Sequence, residues 1–338
     1  MRFFLKFGII FTIGLFISSI LVSRAYEIEF PRRPGPTLDK QFRKNYEEGM
    51  NKDHPQIVLL GDSTLVLSVD PGLLSERTGK SVYSIGIPGS ASAMWYLILK
   101  NNIAHSEHKP ELLLIFFRNT ILTAPDYRVH GSYLTLLDEY ARQDEPVLIE
   151  KSFVNFMNPL EVQAERFFPL YVARTDIRNT MDGYIRYFAP SLFNCDRNCT
   201  DNALGRLFAD NDLEPGVLNN AIGAAESSLY TPENLDFDSQ VERSYLPDIL
   251  QIANNNELRL VFVRIKVQSE MEGTPELDEY LGKLQNYIEE RDAIMLDFGS
   301  DPRITDDYFR DFVHYNENGQ RMFTRLLADG LLDLFDQK

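Results

Sequence analysis

The feature that most limits how this chain can fold is a series of short, mostly apolar runs separated by helix-length stretches. Ile57 to Leu60, Val82 to Ile85, Leu112 to Phe117, Leu258 to Ile265 and Ala293 to Asp297 are each four to eight residues long. Apolar runs of that length, bounded by turn residues, read as strands of a covered sheet. Between and after them, helices are expected over Ser92 to His105, Gln240 to Asn255, Pro275 to Glu290 and Asn318 to Phe335. Strands alternating with helices predict parallel βαβ units, and so an α/β fold.

The rhythm stops between residues 120 and 240, where aromatics and scattered Asp and Asn replace it, with helical stretches near 132–142 and 159–190. A structureless loop of that length inside one domain would be unusual, so this segment is expected to be an insertion or cap on a domain running from 56 to 338. Residues 26–55 are polar, with Pro31, Pro34 and Pro36, and read as a stalk or linker.

Ahead of the linker lies Phe3 to Val22, in which Lys6 is the single charge. Twenty residues at helical rise cover roughly 30 Å, the thickness of a bilayer core. Arg2 and Lys6 keep the N-terminus cytoplasmic by the positive-inside rule, which exports the rest to a periplasmic or extracytoplasmic side. A retained transmembrane anchor over 1–25 is the favoured reading. Secretion after cleavage at Ala25 is the alternative, because Ser23 and Ala25 are small, although Arg24 is a poor neighbour for a cut.

Lysine plus arginine is 34 against 50 aspartate plus glutamate, a net charge of −16. That surface repels a phosphate backbone and excludes nucleic acid as a natural partner. Cys195 and Cys199 are the two cysteines. In an oxidising compartment they are disulfide candidates; zinc would need further ligands, and no histidine is close in sequence.

Ligands of parallel sheets gather at the C-terminal ends of the strands. Three segments arrive there in the first half: Gly61-Asp62-Ser63, Gly86 to Gly89, and Arg118-Asn119-Thr120; Asp311 to His314 follows the last strand. Ser63 has the placement of a nucleophile, and a free hydroxyl needs a base to attack. Of five histidines, His314 alone follows the last strand with an aspartate, Asp311, three residues before it. Asp311 would fix the ring's tautomer and stabilise its charged form. Oxyanion donors would be the backbone N–H groups of Ser63 and Gly89 and the side-chain amide of Asn119. Asp62 reads as a structural residue of the turn. Arg118 and Arg264 both end predicted strands; they would either face an anionic substrate or pair with the abundant carboxylates. Trp95 and the aromatics of 153–193 would line a sugar or acyl site or else pack in a core.

At these segments the chain resembles the SGNH (GDSL-type) hydrolase family. Gly61-Asp62-Ser63 matches the nucleophile block, and Val82-Tyr83-Ser84-Ile85-Gly86-Ile87-Pro88-Gly89 resembles the block whose last glycine supplies an oxyanion N–H. Phe117-Arg118-Asn119-Thr120 stands at the asparagine block. Asp311-Phe312-Val313-His314 fits the Asp-x-x-His block, with Tyr315 to Gly319 as its continuation into the last helix. The resemblance, over 56–119 and 240–338, implies a three-layer α/β/α sandwich with a flavodoxin-like parallel sheet. It also implies a serine acylated with the help of His314 and Asp311, chemistry that requires no metal or organic cofactor.

Ser84 stands where the family often has asparagine, and the third block lacks its glycine and final aspartate. These departures are similar to a membrane-anchored branch associated with cell-envelope polysaccharides, some members of which move acetyl groups onto sugars. What the resemblance implies is therefore an esterase or O-acetyltransferase acting on acyl, chiefly acetyl, esters of an envelope or extracellular polysaccharide. An integral-membrane acyl-transfer protein is its candidate partner. A non-catalytic glycan-binding or scaffold module is the alternative.

Overall fold

The computed structural model describes residues 2–38, 46–142, 145–208, 222–268 and 273–336; residues 39–45 of the expected linker, and 143–144 and 209–221 of the expected insertion, lie outside them. In chain order the elements are α1 (Arg2–Ala25), α2 (Glu47–Asp53), β1 (Ile57–Gly61), α3 (Ser63–Ser68), α4 (Pro71–Thr78), β2 (Val82–Gly86), α5 (Ser92–Asn101) and β3 (Leu112–Phe117). Then come α6 (Ser132–Tyr140), α7 (Pro146–Ser152), α8 (Pro159–Phe167), α9 (Pro169–Val172), α10 (Arg174–Ser191) and α11 (Arg197–Phe208). The chain continues through α12 (Leu246–Asn255), β4 (Leu260–Arg264), α13 (Pro275–Glu289), β5 (Ile294–Asp297) and α14 (Glu317–Asp336), with short turns of helix between 222 and 243.

These elements form two compact units. One comprises Met1–Pro36 and Phe153–Gly216, the other Thr37–Ser152 and Val217–Lys338. The 120–240 segment is thus divided: 120–152 and 217–240 belong to the second unit, and 153–216 to the first. The linker also ends earlier than residue 55. Residues 47–53 are helical and Met50 is fully buried, while Asn51 Oδ1 accepts from Ser106 Oγ at 2.7 Å and Glu107 N at 3.0 Å.

The second unit is built on a five-stranded, wholly parallel sheet in the order β2-β1-β3-β4-β5. That is the doubly wound, flavodoxin-like order, in which the sequence of strands reverses between β1 and β3 and opens a crevice at their C-terminal ends. Every residue of β1, β3 and β4 is buried, which is why these strands lack a polar alternation. One face carries Ile57, Leu59, Leu112, Leu114, Phe116, Val261 and Val263 in a single core with Leu65 of α3, Leu74 of α4 and Phe323, Leu327 and Leu331 of α14. Val58, Leu60, Leu113, Ile115 and Phe262 on the opposite face are equally buried, on the α5 and α12 side, where those helices pack together.

α14 is also fastened to the start of the fold by polar contacts. Gln320 Nε2 donates to the carbonyls of Val66 and Val69 at 3.1 and 3.3 Å, and Thr324 Oγ1 accepts from Asp70 N at 3.0 Å. The expected helix over 240–255 begins only at Leu246. Pro247 lies in its first turn, the place where a missing N–H costs nothing, whereas mid-helix it would break the ladder.

In the first unit, α1 is apolar along its length, with a mean hydropathy of 2.2 over its most apolar window and none of that window buried. It is long and apolar enough to cross a membrane or to serve as a signal sequence. The helical stretch expected over 159–190 is interrupted by Phe168-Pro169, so α8 and α9 are separate. α8 starts on a capping box, Asn158 with Glu161. Cys195, in the turn after α10, and Cys199, in the first turn of α11, form a disulfide with Cα atoms 5.3 Å apart.

Candidate active site

The turn after β1 is shaped before any chemistry is considered. A Cβ on Gly61 would stand 2.8 Å from Leu65 Cβ and 3.1 Å from Phe116 Cβ, so only glycine lets α3 fold back this tightly against the sheet. Asp62 is the N-cap of α3: its Oδ1 accepts from Thr64 N at 2.8 Å and Thr64 Oγ1 at 2.6 Å. This fixes Ser63 as the first helical residue, with its N–H among those that no helical carbonyl can reach.

His314 arrives from the loop before α14. Its Nε2 lies 2.8 Å from Ser63 Oγ, and its Nδ1 lies 2.9 Å from both carboxylate oxygens of Asp311. An ionised carboxylate can only accept, so Nδ1–H donates to Asp311 and Nε2 is left to accept from the Ser63 hydroxyl. Asp311 Oδ1 accepts in addition from Val313 N at 3.2 Å and His314 N at 2.9 Å. Burial alone would raise the Asp311 carboxyl. The His314 hydrogen bond and charge and the two backbone donors outweigh that and hold it below its ordinary value.

The loop is anchored on both sides. Arg310 N donates to His314 O at 2.9 Å, and the buried Tyr315 ring packs edge-on against Phe309 and Phe323. Asn316 Oδ1 caps the start of α14 by accepting from Asn318 N and Gly319 N, both at 3.0 Å. The sheet itself reaches the loop through Gln268 N, which donates to Phe312 O at 2.9 Å.

The expected oxyanion donors flank β1. β1 and β2 end level, Gly61 pairing with Gly86, and Gly89 follows three residues later with φ +79°. Its N–H has no backbone acceptor among the described residues. A Cβ there would be left-handed and 3.0 Å from the Tyr133 ring. Trp95 does not line a site: it is fully buried, and its indole N–H donates to Ser90 Oγ at 2.9 Å. Ser90 Oγ in turn donates to Gly61 O at 3.2 Å, so the turns after β1 and β2 are fastened together.

Asn119, two residues past β3, is buried and held at φ +49°. Its Nδ2 has no hydrogen-bond partner among the described residues. A buried donor left unpaired costs about 1–3 kcal/mol, so this atom calls for a partner such as a water or a substrate oxygen.

Of the two readings of Arg118 and Arg264, facing an anionic substrate or pairing with carboxylates, both side chains take the second. Arg264 Nη1 bonds Asp297 Oδ1 at 3.1 Å and Oδ2 at 3.2 Å, across the paired ends of β4 and β5. Arg118 turns inward: Nη1 donates to Asp62 Oδ2 at 2.6 Å, while Nε and Nη2 grip Glu226 Oε2 and Oε1 at 2.8 and 2.6 Å. Neither guanidinium is exposed. The cause is geometric, since each strand end already carries a carboxylate within reach.

The residue that sequence reasoning missed is Glu226. With Asp62 and Arg118 it forms a buried charge cluster directly behind the Ser63 turn, bordered by Arg128. Arg128 Nη1 stands 3.8 Å from Asp62 and Nη2 3.9 Å from Glu226; its guanidinium lies over the Tyr127 and Tyr133 rings. Two cations therefore balance two carboxylates. Burial works to raise the Asp62 carboxyl, but Arg118 and Thr64 prevail and keep it ionised below its usual range. Burial likewise opposes the Arg118 charge, and Asp62 and Glu226 outweigh it. The Tyr127 hydroxyl, 3.3 Å from Glu226 Oε1, is pushed up to about 12 by burial and then by that carboxylate. One sequence signal did exist. An arginine ending a fully apolar strand demands a buried carboxylate, although nothing local says which.

No family model matches this chain, and no curated protein matches it. Among solved structures, the chain is similar to a crystal structure of a GDSL-like lipase from Bacteroides thetaiotaomicron. The TM-score is 0.37 at 8% identity, over 84% of this chain and 90% of the other.

Proposed function

We propose that this protein is a serine ester hydrolase or acyltransferase that works through an acyl-enzyme on Ser63. One observation carries the reading: the continuous relay from Ser63 Oγ to His314 Nε2 at 2.8 Å and from His314 Nδ1 to Asp311 at 2.9 Å. Ser63 Oγ attacks an ester carbonyl as His314 takes its proton, and Asp311 stabilises the resulting imidazolium. The negative oxygen that develops is received by the N–H groups of Ser63 and Gly89 and by Asn119 Nδ2. His314 returns the proton to the departing alcohol. Water or a sugar hydroxyl, deprotonated by the same ring, then takes the acyl group and frees Ser63.

The preferred substrate is an acetyl or other short acyl ester of a cell-envelope or extracellular polysaccharide. Support for that compartment comes from α1, which as a retained anchor with Arg2 and Lys6 inside would hold the relay outside the membrane. An integral-membrane acyl-transfer protein fits as the donor if the acceptor is a sugar.

The test is labelling by a fluorophosphonate probe, followed by turnover of a chromogenic acetyl ester with and without a polysaccharide acceptor. Labelling of the wild type and none of Ser63→Ala is expected. Equal labelling of both would sink the serine mechanism and leave a glycan-binding module. Acceptor-dependent turnover without free acetate identifies a transferase, and release of acetate to water identifies an esterase.

A further inference from the structure

The first compact unit exposes large apolar side chains beyond those of α1, among them Phe156, Leu160, Phe167 and Phe193, and clusters of that kind mark interaction surfaces. α10 is 18 residues long and none of its described side chains is fully buried. Even so, Met181, Tyr184, Ile185 and Phe188, spaced i, i+3, i+4 and i+7, form one apolar stripe, continued by Leu192 in the turn just after the helix, each more than half exposed. A stripe of that kind is normally buried against something.

The position of α1 indicates what covers it. The groove along the last turns of α1 is lined by Phe16, Ile20 and Arg24 on one side and by Phe167, Phe168 and Pro169 of the α8–α9 corner on the other. Phe16 lies six residues before Val22, the end of the apolar run, which is about 9 Å along the helix axis. If α1 crosses a bilayer, the corner that touches Phe16 is therefore inside its outer edge. That depth is the roughly 5–10 Å at which interfacial helices lie. Leu160 of α8 is 81% exposed and shares a helix face with Phe167, one heptad on. Tyr26, the first residue after α1, lines a second groove together with Thr180, Tyr184 and Phe188 of α10. Large apolar side chains thus line both grooves, the first at the end of α1 and the α8–α9 corner, the second on α10, where Asp176, Asp196 and Arg197 form its polar rim.

Charge agrees with this placement. The stretches Met1–Pro36 and Phe153–Gly216 contain 11 lysines and arginines and 11 aspartates and glutamates, so the whole net charge of −16 belongs to the other unit. A neutral body can approach an anionic lipid surface that a strongly acidic one avoids.

We infer that the unit formed by α1 and α8–α11 is a membrane-seated body, in which the α8–α9 corner and the apolar stripe of α10 lie in the outer interfacial layer of the lipid. This rests on the membrane-anchor part of the proposed function and is independent of its chemistry. α1 supplies the crossing, and the corner and stripe hold the unit flat against the surface at which α1 emerges.

The test uses the full chain in vesicles of phosphatidylethanolamine and phosphatidylglycerol whose acyl chains are brominated near the headgroup. The only native tryptophan, Trp95, is fully buried in the sheet-bearing unit and supplies a constant background. Phe167→Trp and Phe188→Trp probe the proposed face, and Phe16→Trp probes α1. Expected are blue-shifted emission and loss of the added intensity to the brominated lipid at all three positions, with protection from aqueous acrylamide. If Phe16→Trp is quenched by lipid but either of the other two is quenched by acrylamide instead, the proposal is overturned and the anchor stands. If positions 167 or 188 are shielded from both quenchers, protein covers the face, as a second copy or partner would, and the proposal again fails. If Phe16→Trp itself escapes the lipid quencher, the anchor reading fails and this inference with it. Fluorophosphonate labelling of the same samples reports the chemistry separately.

Discussion

Arg118 Nη1 lies 2.6 Å from Asp62 Oδ2, one residue before the proposed nucleophile, with both side chains closed off from solvent. The same guanidinium holds Glu226 bidentately, which ties a residue of the 217–240 segment to the back of the Ser63 turn. Asp62 thereby has both oxygens committed, one to the cap of α3 and one to the end of β3.

Removing the cation should be costly. Arg118→Met leaves two buried carboxylates that only the more distant Arg128 can compensate, and a loss of about 3–5 kcal/mol in urea unfolding is expected. Arg118→Lys should recover part of the stability but not the activity, because a point charge cannot bridge Asp62 and grip Glu226 together. A Met variant as stable as the wild type would show that Arg118 is not needed to compensate the two buried carboxylates.

Acid should loosen the same region. Asp62 and Asp311 both bind a proton less readily in the fold than the ordinary aspartate value of 3.8. In the window between the folded and unfolded values the unfolded chain holds more protons, so stability rises with pH there. The contribution is complete above 3.8 and is lost as the pH falls through the lower folded values. Thermal unfolding followed from about pH 2 to 5 should show a shallower acid limb in Asp62→Asn than in the wild type. An unchanged slope would remove Asp62 from the account.

The relay predicts a graded loss of turnover. His314→Ala should lower kcat on an acetyl ester by roughly 10^4-fold or more, and Asp311→Asn by about 10^4-fold, because an amide no longer enforces the Nδ1–H tautomer. KM should change little in either. Retention of more than a tenth of the wild-type rate in His314→Ala would point to another base.

Asn119 separates function from stability. Its Nδ2 has no partner among the described residues, so Asn119→Ala should cost no more in stability than the roughly 1–2 kcal/mol of placing alanine at a left-handed position, yet lower kcat by about 10^2–10^3-fold by removing an oxyanion donor. The reverse outcome, a less stable protein of normal activity, would make Asn119 a structural turn residue.

Much of the sheet was legible in the sequence because β1, β3 and β4 are buried on both faces and show as strongly apolar runs. Ile57, Leu112 and Leu260 open strands within or beside the runs that announced them. Ser63 was legible because a turn must follow β1, and Asp311 and His314 by their spacing beyond the last strand. The charge cluster was legible only in part: Arg118 at the end of an apolar strand calls for a carboxylate, but its partner Glu226 lies 108 residues away and alone looks like an ordinary surface charge. Nor was the division of residues 120–240, because α8 to α10 have helical periodicity whichever compact unit they join.

The fastening of α14 to α3 sets an order of events. Ser63 is synthesised 251 residues before the ring that is to activate it, and the contacts of Gln320 and Thr324 with Val66, Val69 and Asp70 that draw the two together cannot form until α14 has followed. A nascent chain threading outward across a membrane would therefore carry an inert hydroxyl for nearly its whole passage. If the proposed mechanism and orientation hold, the relay would be completed only after the segment beyond His314 had crossed, and the proposed ester chemistry would be confined to the far side without any separate inhibitor.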